Sequence, residues 1–380
     1  MKQTNTTEEI EFFRLLDSVD FDQIRAKVTH NPQLLSSYDN RNFGATPLTA
    51  ACFSGRFDLA KLLIELGADP NFRSLWSMGP WSPLHCAIYR RDLQLAEFLL
   101  ASGATLDVHT AAGLGRADQL QMLLDQDPAR VGELGGDGCQ PLHFAGSVEV
   151  AELLLNRGAD INARCIDHYS TPVQYLCTSC PEVARFLLAR CATADVFSVL
   201  ICGELTLLEK MLSENGELSQ ARINQRFFPP GPEHNVHNVL TFTVGQDVTL
   251  LHTAARFDQA DAIKLLVAHG ISAEVRGGYD HSVPLHLAAW NNCAKAAAAL
   301  LDCGAAIDIR SGPMHNNSPA GWAIVAGADT VFELLMDRGA TQLPWFLDDA
   351  RDALAGRFDQ VSRASLEQRQ RILKRLEPTQ

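Results

Sequence analysis

The sequence predicts an all-α solenoid built from stacked helix-turn-helix repeats. Three observations predict it. Two short phrases alternate along the 380 residues. Where the pattern is regular they return every 34 to 36 residues, as from Gly67 to Gly103 and from Gly270 to Gly304. Each phrase carries residue types that start or stop a helix. Composition agrees: 46% hydrophobic and 20% charged residues describe a folded chain. A one-dimensional array also accounts for a length that would otherwise suggest two or three compact domains.

The first phrase opens a helix. It reads ATPLTAA at 45–51, WSPLHCA at 81–87, CQPLHFA at 139–145, STPVQYL at 170–176, VTLLHTA at 248–254, SVPLHLA at 282–288 and NSPAGWA at 317–323. Thr46 and Thr171 suit a helix N-cap, and the proline after each suits the first helical position, where no amide donor is needed. Small residues such as Ala50, Ala51, Ala288 and Ala289 let two helices approach closely. The second phrase closes the partner helix. It reads LLIELGADPN at 62–71, FLLASGATLD at 98–107, LLLNRGADIN at 153–162, FLLARCATAD at 186–195, LLVAHGISAE at 265–274, LLDCGAAID at 300–308 and LLMDRGATQL at 334–343. The leucine pair supplies an apolar stripe, and the glycine ends the helix in a left-handed cap. One such pair cannot bury its own apolar face, so neighbours must stack.

The TPLHxAA…LLxxGADxN pattern resembles the ankyrin repeat, over residues 40–343. The resemblance implies two antiparallel helices per repeat joined by hairpin-like finger loops, with binding at the finger tips and on the concave first-helix face. It also implies a structural role for the repeat histidines His85, His143, His252 and His286, each bonded to the backbone of its own turn. Residues 1–39 read as an N-terminal helical cap and 344–380 as a C-terminal one.

The array is irregular. Segments 108–135 and 196–224 keep a helix pair but lose the TPLH phrase, and their shared plan suggests a duplicated larger unit. Repeats 136–163 and 164–195 are short in the turn between helices. Two fingers are enlarged, 73–82 and the long insertion 226–247. Insertions in solenoids collect on one face, often the binding face.

Candidate binding residues are the aromatic, Arg and polar side chains expected at those fingers and first-helix faces: Trp76, Trp81, Tyr89, Arg90, Arg256, Phe257, Tyr279, His281, Trp290, Asn291, His315 and Asn316. Aromatics and Arg dominate binding hot spots. Trp322 reads as packing. The function expected is a binding scaffold for a protein or peptide, with contact concentrated where 226–247 meets Tyr279, His281, Trp290 and His315. The net charge of −13 favours a basic partner. The alternative is an enzyme or small-molecule binder in which 226–247 lids a pocket lined by Tyr279, His281, Trp290 and His315. Its metal form gathers His234, His237, His281 and His315, since imidazoles suit zinc and other first-row ions.

Other classes find little support. No block of five basic residues appears, so nucleic acid is not an expected partner. No phosphate-cradling glycine loop or nucleophile elbow is present, so no catalytic residue and no cofactor is expected. Cys177 and Cys180 form a CxxC, with Cys165 and Cys191 in the same repeat. Cys177 stands where a small core residue packs and Cys191 where glycine ends the helix, so buried thiols are expected rather than zinc. No apolar run reaches eighteen residues, so no membrane span is expected. The N-terminus has no apolar h-region. A cytoplasmic, reduced monomer is the expectation.

Overall fold

A computed structural model describes residues 5–18, 20–229, 237–359, 361–362 and 364–377. Among the described residues all regular structure is helical, apart from isolated bridges that close finger loops. The chain forms two compact units, residues 1–193 and residues 194–229 with 237–380.

The first unit opens with helices Thr7–Ser18 and Phe21–His30. Helix pairs follow at Pro47–Phe53 with Phe57–Glu65, Pro83–Tyr89 with Leu93–Ala101, Val108–Gly113 with Ala117–Gln126, and Pro172–Ser179 with Pro181–Ala189. Between the last two lies a shorter pair, a 3-10 turn at Pro141–Phe144 and a helix at Val148–Asn156. The shortened turn has a steric cause. Gly146 donates its amide to Ala112 O at 2.9 Å, and a Cβ at Gly146 would collide with the backbone of Gly113.

The second unit pairs Val196–Ile201 with Leu205–Glu214, Leu250–Arg256 with Ala260–Ala268, Pro284–Trp290 with Ala294–Asp302, and Pro319–Ala326 with Asp329–Asp337. It ends on Phe346–Leu354 and Leu366–Leu376. Both cores are filled by the leucine pairs and small residues of the repeats. Phe197, Leu266, Phe332 and Phe346 are fully buried in the second, Leu63, Leu99 and Leu154 in the first.

The capping chemistry follows the sequence. Thr46 and Thr171 accept bonds from the backbone amides three residues on, at 3.1 and 3.5 Å. The two segments that lack the TPLH phrase, 108–135 and 196–224, use an aspartate instead. Asp107 accepts from Thr110 N at 2.9 Å, and Asp195 from Ser198 N at 3.0 Å. A carboxylate at a helix start also meets the positive end of the helix dipole. Both segments leave the second helix by one route: Asp127 and Asn215 each accept the amide two residues later and begin a 3-10 turn, at 3.1 Å in each case.

Candidate binding surface

Each finger is a narrow hairpin closed by backbone bonds. Asp39 N donates to Ala45 O at 2.8 Å, Ser74 N to Trp81 O at 2.9 Å, Cys165 N to Ser170 O at 3.1 Å, Gly277 N to Ser282 O at 3.1 Å and Ser311 N to Asn317 O at 3.0 Å. The long insertion belongs to this series. Ile223 N donates to Val248 O at 3.0 Å and Asp247 N to Ile223 O at 2.8 Å, so 226–247 emerges from the closed base of a finger.

The repeat histidines do more than brace their own turns. His252 Nδ1 lies 2.8 Å from Thr249 Oγ1, and its Nε2 reaches the Ser282 carbonyl of the next finger at 3.1 Å. His143 Nε2 reaches Ser170 O at 3.1 Å and His286 Nε2 reaches Asn317 O at 3.0 Å. A carbonyl only accepts, so Nε2 carries the proton and Nδ1 accepts from the turn. Burial pushes all three imidazoles down to about 4, so they are neutral at pH 7. His85 differs because the next segment lacks the ordinary finger. Its Nε2 stands 3.4 Å from Asp107 Oδ2. Burial alone would raise the Asp107 carboxyl, but His85, His109 and the Thr110 amide hold it below the usual carboxylate range.

In the first unit the candidates Trp81, Tyr89 and Arg90 gather around one aromatic cluster, and Trp76 lies against the preceding finger. Trp81 is buried. It meets Tyr89, Phe144 and Phe53 edge-on at 5.4, 6.2 and 6.4 Å, and Phe53 stacks on Tyr89 at 5.9 Å. Its indole Nε1 donates to Asp137 Oδ1 at 2.9 Å. Burial pushes the Tyr89 phenol up to about 12. Arg90 bonds Phe53 O at 3.0 Å. Trp76 meets Phe43 of the preceding finger edge-on at 4.7 Å, and Leu75 N bonds Gly44 O at 2.9 Å. Phe43 and Leu75 are exposed.

In the second unit the candidates separate into four roles. Tyr279 and His315 come together at adjacent finger tips, with Tyr279 Oη 2.9 Å from His315 Nε2. Asp280 ties these tips by accepting the amides of Met314 and His315 at 3.1 and 3.0 Å. Arg276 bonds His281 O, and Arg310 bonds Asn316 O, which makes these residues finger backbone anchors. Trp290 packs on Trp322 at 5.8 Å, and Asn291 closes the end of its own helix through Leu287 O. Among the described residues no ring contact joins Trp290 to Tyr279 or His315. Phe257 follows Arg256 as the helix C-cap. Arg256 points inward, donating to Val244 O at 3.1 Å and Thr243 O at 3.2 Å. It therefore fastens the short helix Val239–Thr243 of the insertion. Phe227 and Phe228 rest on Phe197 at 5.4 and 6.1 Å.

The four-histidine set does not assemble among the described residues. His234 lies outside them. His237, 6.5 Å from the Phe242 ring, His281 and His315 share no group of metal-ligating side chains. The finger geometry explains it, since His315 is held at a tip by Tyr279. The groups that do converge are His85 with Asp107 and His109, and Asp137 with Asp167 and His168. The first is engaged in capping and in the bond from His109 Nε2 to Glu133 O at 2.9 Å. The second was not singled out by sequence, because its members lie in two fingers and neither carries a ligand-type spacing. Cys177 is buried and donates to Gln174 O, while Cys191 is exposed.

These fingers and helix pairs match one family over more than half of the chain. A model described as Ankyrin repeats (3 copies) matches residues 30–110 and 213–311, and one for a single Ankyrin repeat matches 137–166. The chain belongs to the ankyrin-repeat family. Among curated relatives, it is 28% identical over 152 residues to the human transient receptor potential cation channel subfamily A member 1, covering 36% of this chain and 13% of that one. It is 23% identical over 273 residues to the E3 ubiquitin-protein ligase KEG of Arabidopsis thaliana, covering 61% and 17%. The chain thus spans less than a fifth of the length of either relative. Among solved structures, the human ASB11 ankyrin repeat domain aligns with a TM-score of 0.40 at 25% identity, over 63% of this chain and all of that one. Ankyrin repeats are in general protein-interaction scaffolds. No helix of the described residues is long and apolar enough to cross a membrane.

Proposed function

We propose that this ankyrin-repeat chain is a scaffold that binds a protein or peptide partner through its finger tips and first-helix faces. One observation carries the reading. Finger tips exposed to water carry large apolar side chains: Phe43 is 63% exposed, Tyr279 62% and Met314 69%, with Leu75 and Tyr169 exposed beside other tips. Exposing such groups gains nothing for folding, because burial is what stabilises them. Adjacent tips pair them, Phe43 with Trp76 and Tyr279 with Met314 and His315, into the rigid aromatic-rich anchors that hot spots favour. The net charge of −13 steers toward a basic segment.

Selection of random peptides on the intact chain tests it. Enriched peptides should combine an apolar anchor with basic residues. Phe43→Ala with Trp76→Ala, or Tyr279→Ala with Met314→Ala, should weaken them at least about 10-fold. Peptides that bind a variant with all four changes as tightly as the parent would refute the placement.

A further inference from the structure

Residues Asp137, Asp167 and His168 converge from two neighbouring fingers of the first unit. Asp137 sits at the tip of the finger closed by the bond from Gly135 N to Cys139 O at 2.8 Å, in a left-handed conformation with φ of 57°. Its carbonyl accepts the amides of both Ile166 and Asp167 at 3.1 Å, which locks the two fingers together. His168 Nε2 then stands 3.6 Å from Asp137 Oδ2 and 3.6 Å from Asp167 Oδ2. Both distances exceed a hydrogen bond. They are close to the separation of about 3.4 Å that a tetrahedral ion with ligands about 2.1 Å away imposes on its ligand atoms.

The surroundings add two points. Asp167 is 6% exposed, and its Oδ1 is buried without a hydrogen-bond partner among the described residues. A buried carboxylate oxygen left unpaired is costly. Asp137 Oδ1 accepts from the Trp81 indole at 2.9 Å, the Trp76 indole also bonds this carboxyl, and Oδ2 stands nearest the imidazole. A hydrogen bond to the outer oxygen of a ligand is the usual way a protein aims it at a metal. Two carboxylates at this depth repel one another unless a proton or a cation is shared between them.

We propose that Asp137, Asp167 and His168 bind a divalent first-row transition ion, of the class of Zn²⁺ or Co²⁺, as a two-oxygen, one-nitrogen site with an open coordination position. The donor set mixes carboxylates with one imidazole, which favours these ions over Ca²⁺ or Mg²⁺. His168 is partly buried and Tyr169 next to it is exposed, so the group lies close to the finger surface.

Cobalt titration of the full, reduced chain tests the proposal. One equivalent of Co²⁺ should bind saturably, with visible d–d bands and no thiolate-to-cobalt charge-transfer band. Asp167→Asn and His168→Gln should each weaken binding at least about 10-fold, while His109→Gln should leave it unchanged. Circular dichroism melts establish that each variant is folded, and the His168 change, on a partly buried turn residue, keeps the test available if Asp167→Asn unfolds. Four results overturn the proposal: no saturable binding, a charge-transfer band, loss of binding in His109→Gln, or full affinity in folded His168→Gln.

Discussion

Acidification from pH 7 to pH 5 should destabilise the second unit by about 4 kcal/mol through two buried histidines. His252 and His286 are fully buried, and burial brings both to about 4, below an ordinary value of 6.5. Arg222 and His286 lower His252 further, and Arg276 acts likewise on His286, where Asp280 and the Asn317 carbonyl oppose it. The folded state therefore refuses a proton that the unfolded chain accepts. The sign follows directly: the stability is present above pH 6.5, falls as pH drops below it, and stops falling below about 4. Between pH 7 and pH 5 each group loses about 2 kcal/mol of the roughly 3.4 kcal/mol that the full shift represents. The Asp280 and Asp329 carboxyls are held low and lose their contribution only in stronger acid, while Asp349, raised chiefly by burial, acts in the opposite sense. Hydrogen-exchange protection of Leu250–Arg256 and Pro284–Trp290, converted to opening free energies at the two pH values, reads the loss locally. His252→Gln should remove about half of the pH dependence whatever it does to the absolute stability. Protection free energies that agree within about 1 kcal/mol at pH 7 and pH 5 would refute the reasoning, as would a His252→Gln variant with the full dependence.

Two further outcomes follow from single residues. Cys191 holds a φ of 61° at the position where Gly158 and Gly270 end the corresponding helices, and its side chain is exposed. Cys191→Gly should stabilise the first unit by about 1 kcal/mol in urea unfolding, since the left-handed strain exceeds the entropy that glycine adds to the unfolded chain. Arg256→Ala should strip two carbonyls of their donor and raise exchange in Val239–Thr243 by at least about 10-fold, with a cost of about 2 kcal/mol. Unchanged exchange there would mean that the guanidinium does not hold the insertion.

The helix pairs were legible because their determinants are local. The Thr-Pro start, the leucine pair and the glycine stop each act within one turn, and their period states the stacking. Even the aspartate-capped segments at 108–135 and 196–224 could be placed as helix pairs, because apolar spacing survives the loss of the proline. Contacts between fingers were not legible. Arg256 looked like a surface hot spot, yet it turns inward to the insertion's carbonyls, a choice made by residues twelve and thirteen positions earlier. Trp81 and Trp76 share one enlarged finger and both bond Asp137, but Trp81 is buried among Tyr89, Phe53 and Phe144 while Trp76 meets Phe43 of the preceding finger.

By itself, then, the sequence determined the all-α repeat architecture and the fingers as the variable elements, and its resemblance to the ankyrin repeat implied a structural role for the repeat histidines. Tertiary structure decided which side chains meet. Asp137 and His168 are 31 residues apart, roughly one repeat, and only the stacking of successive fingers brings their side chains within 3.6 Å. The same stacking separates Trp290 from Tyr279 and His315, since one lies on a helix face and the others on finger tips. A repeat period fixes which residues occupy equivalent places, whereas finger curvature and side-chain direction fix which of them touch.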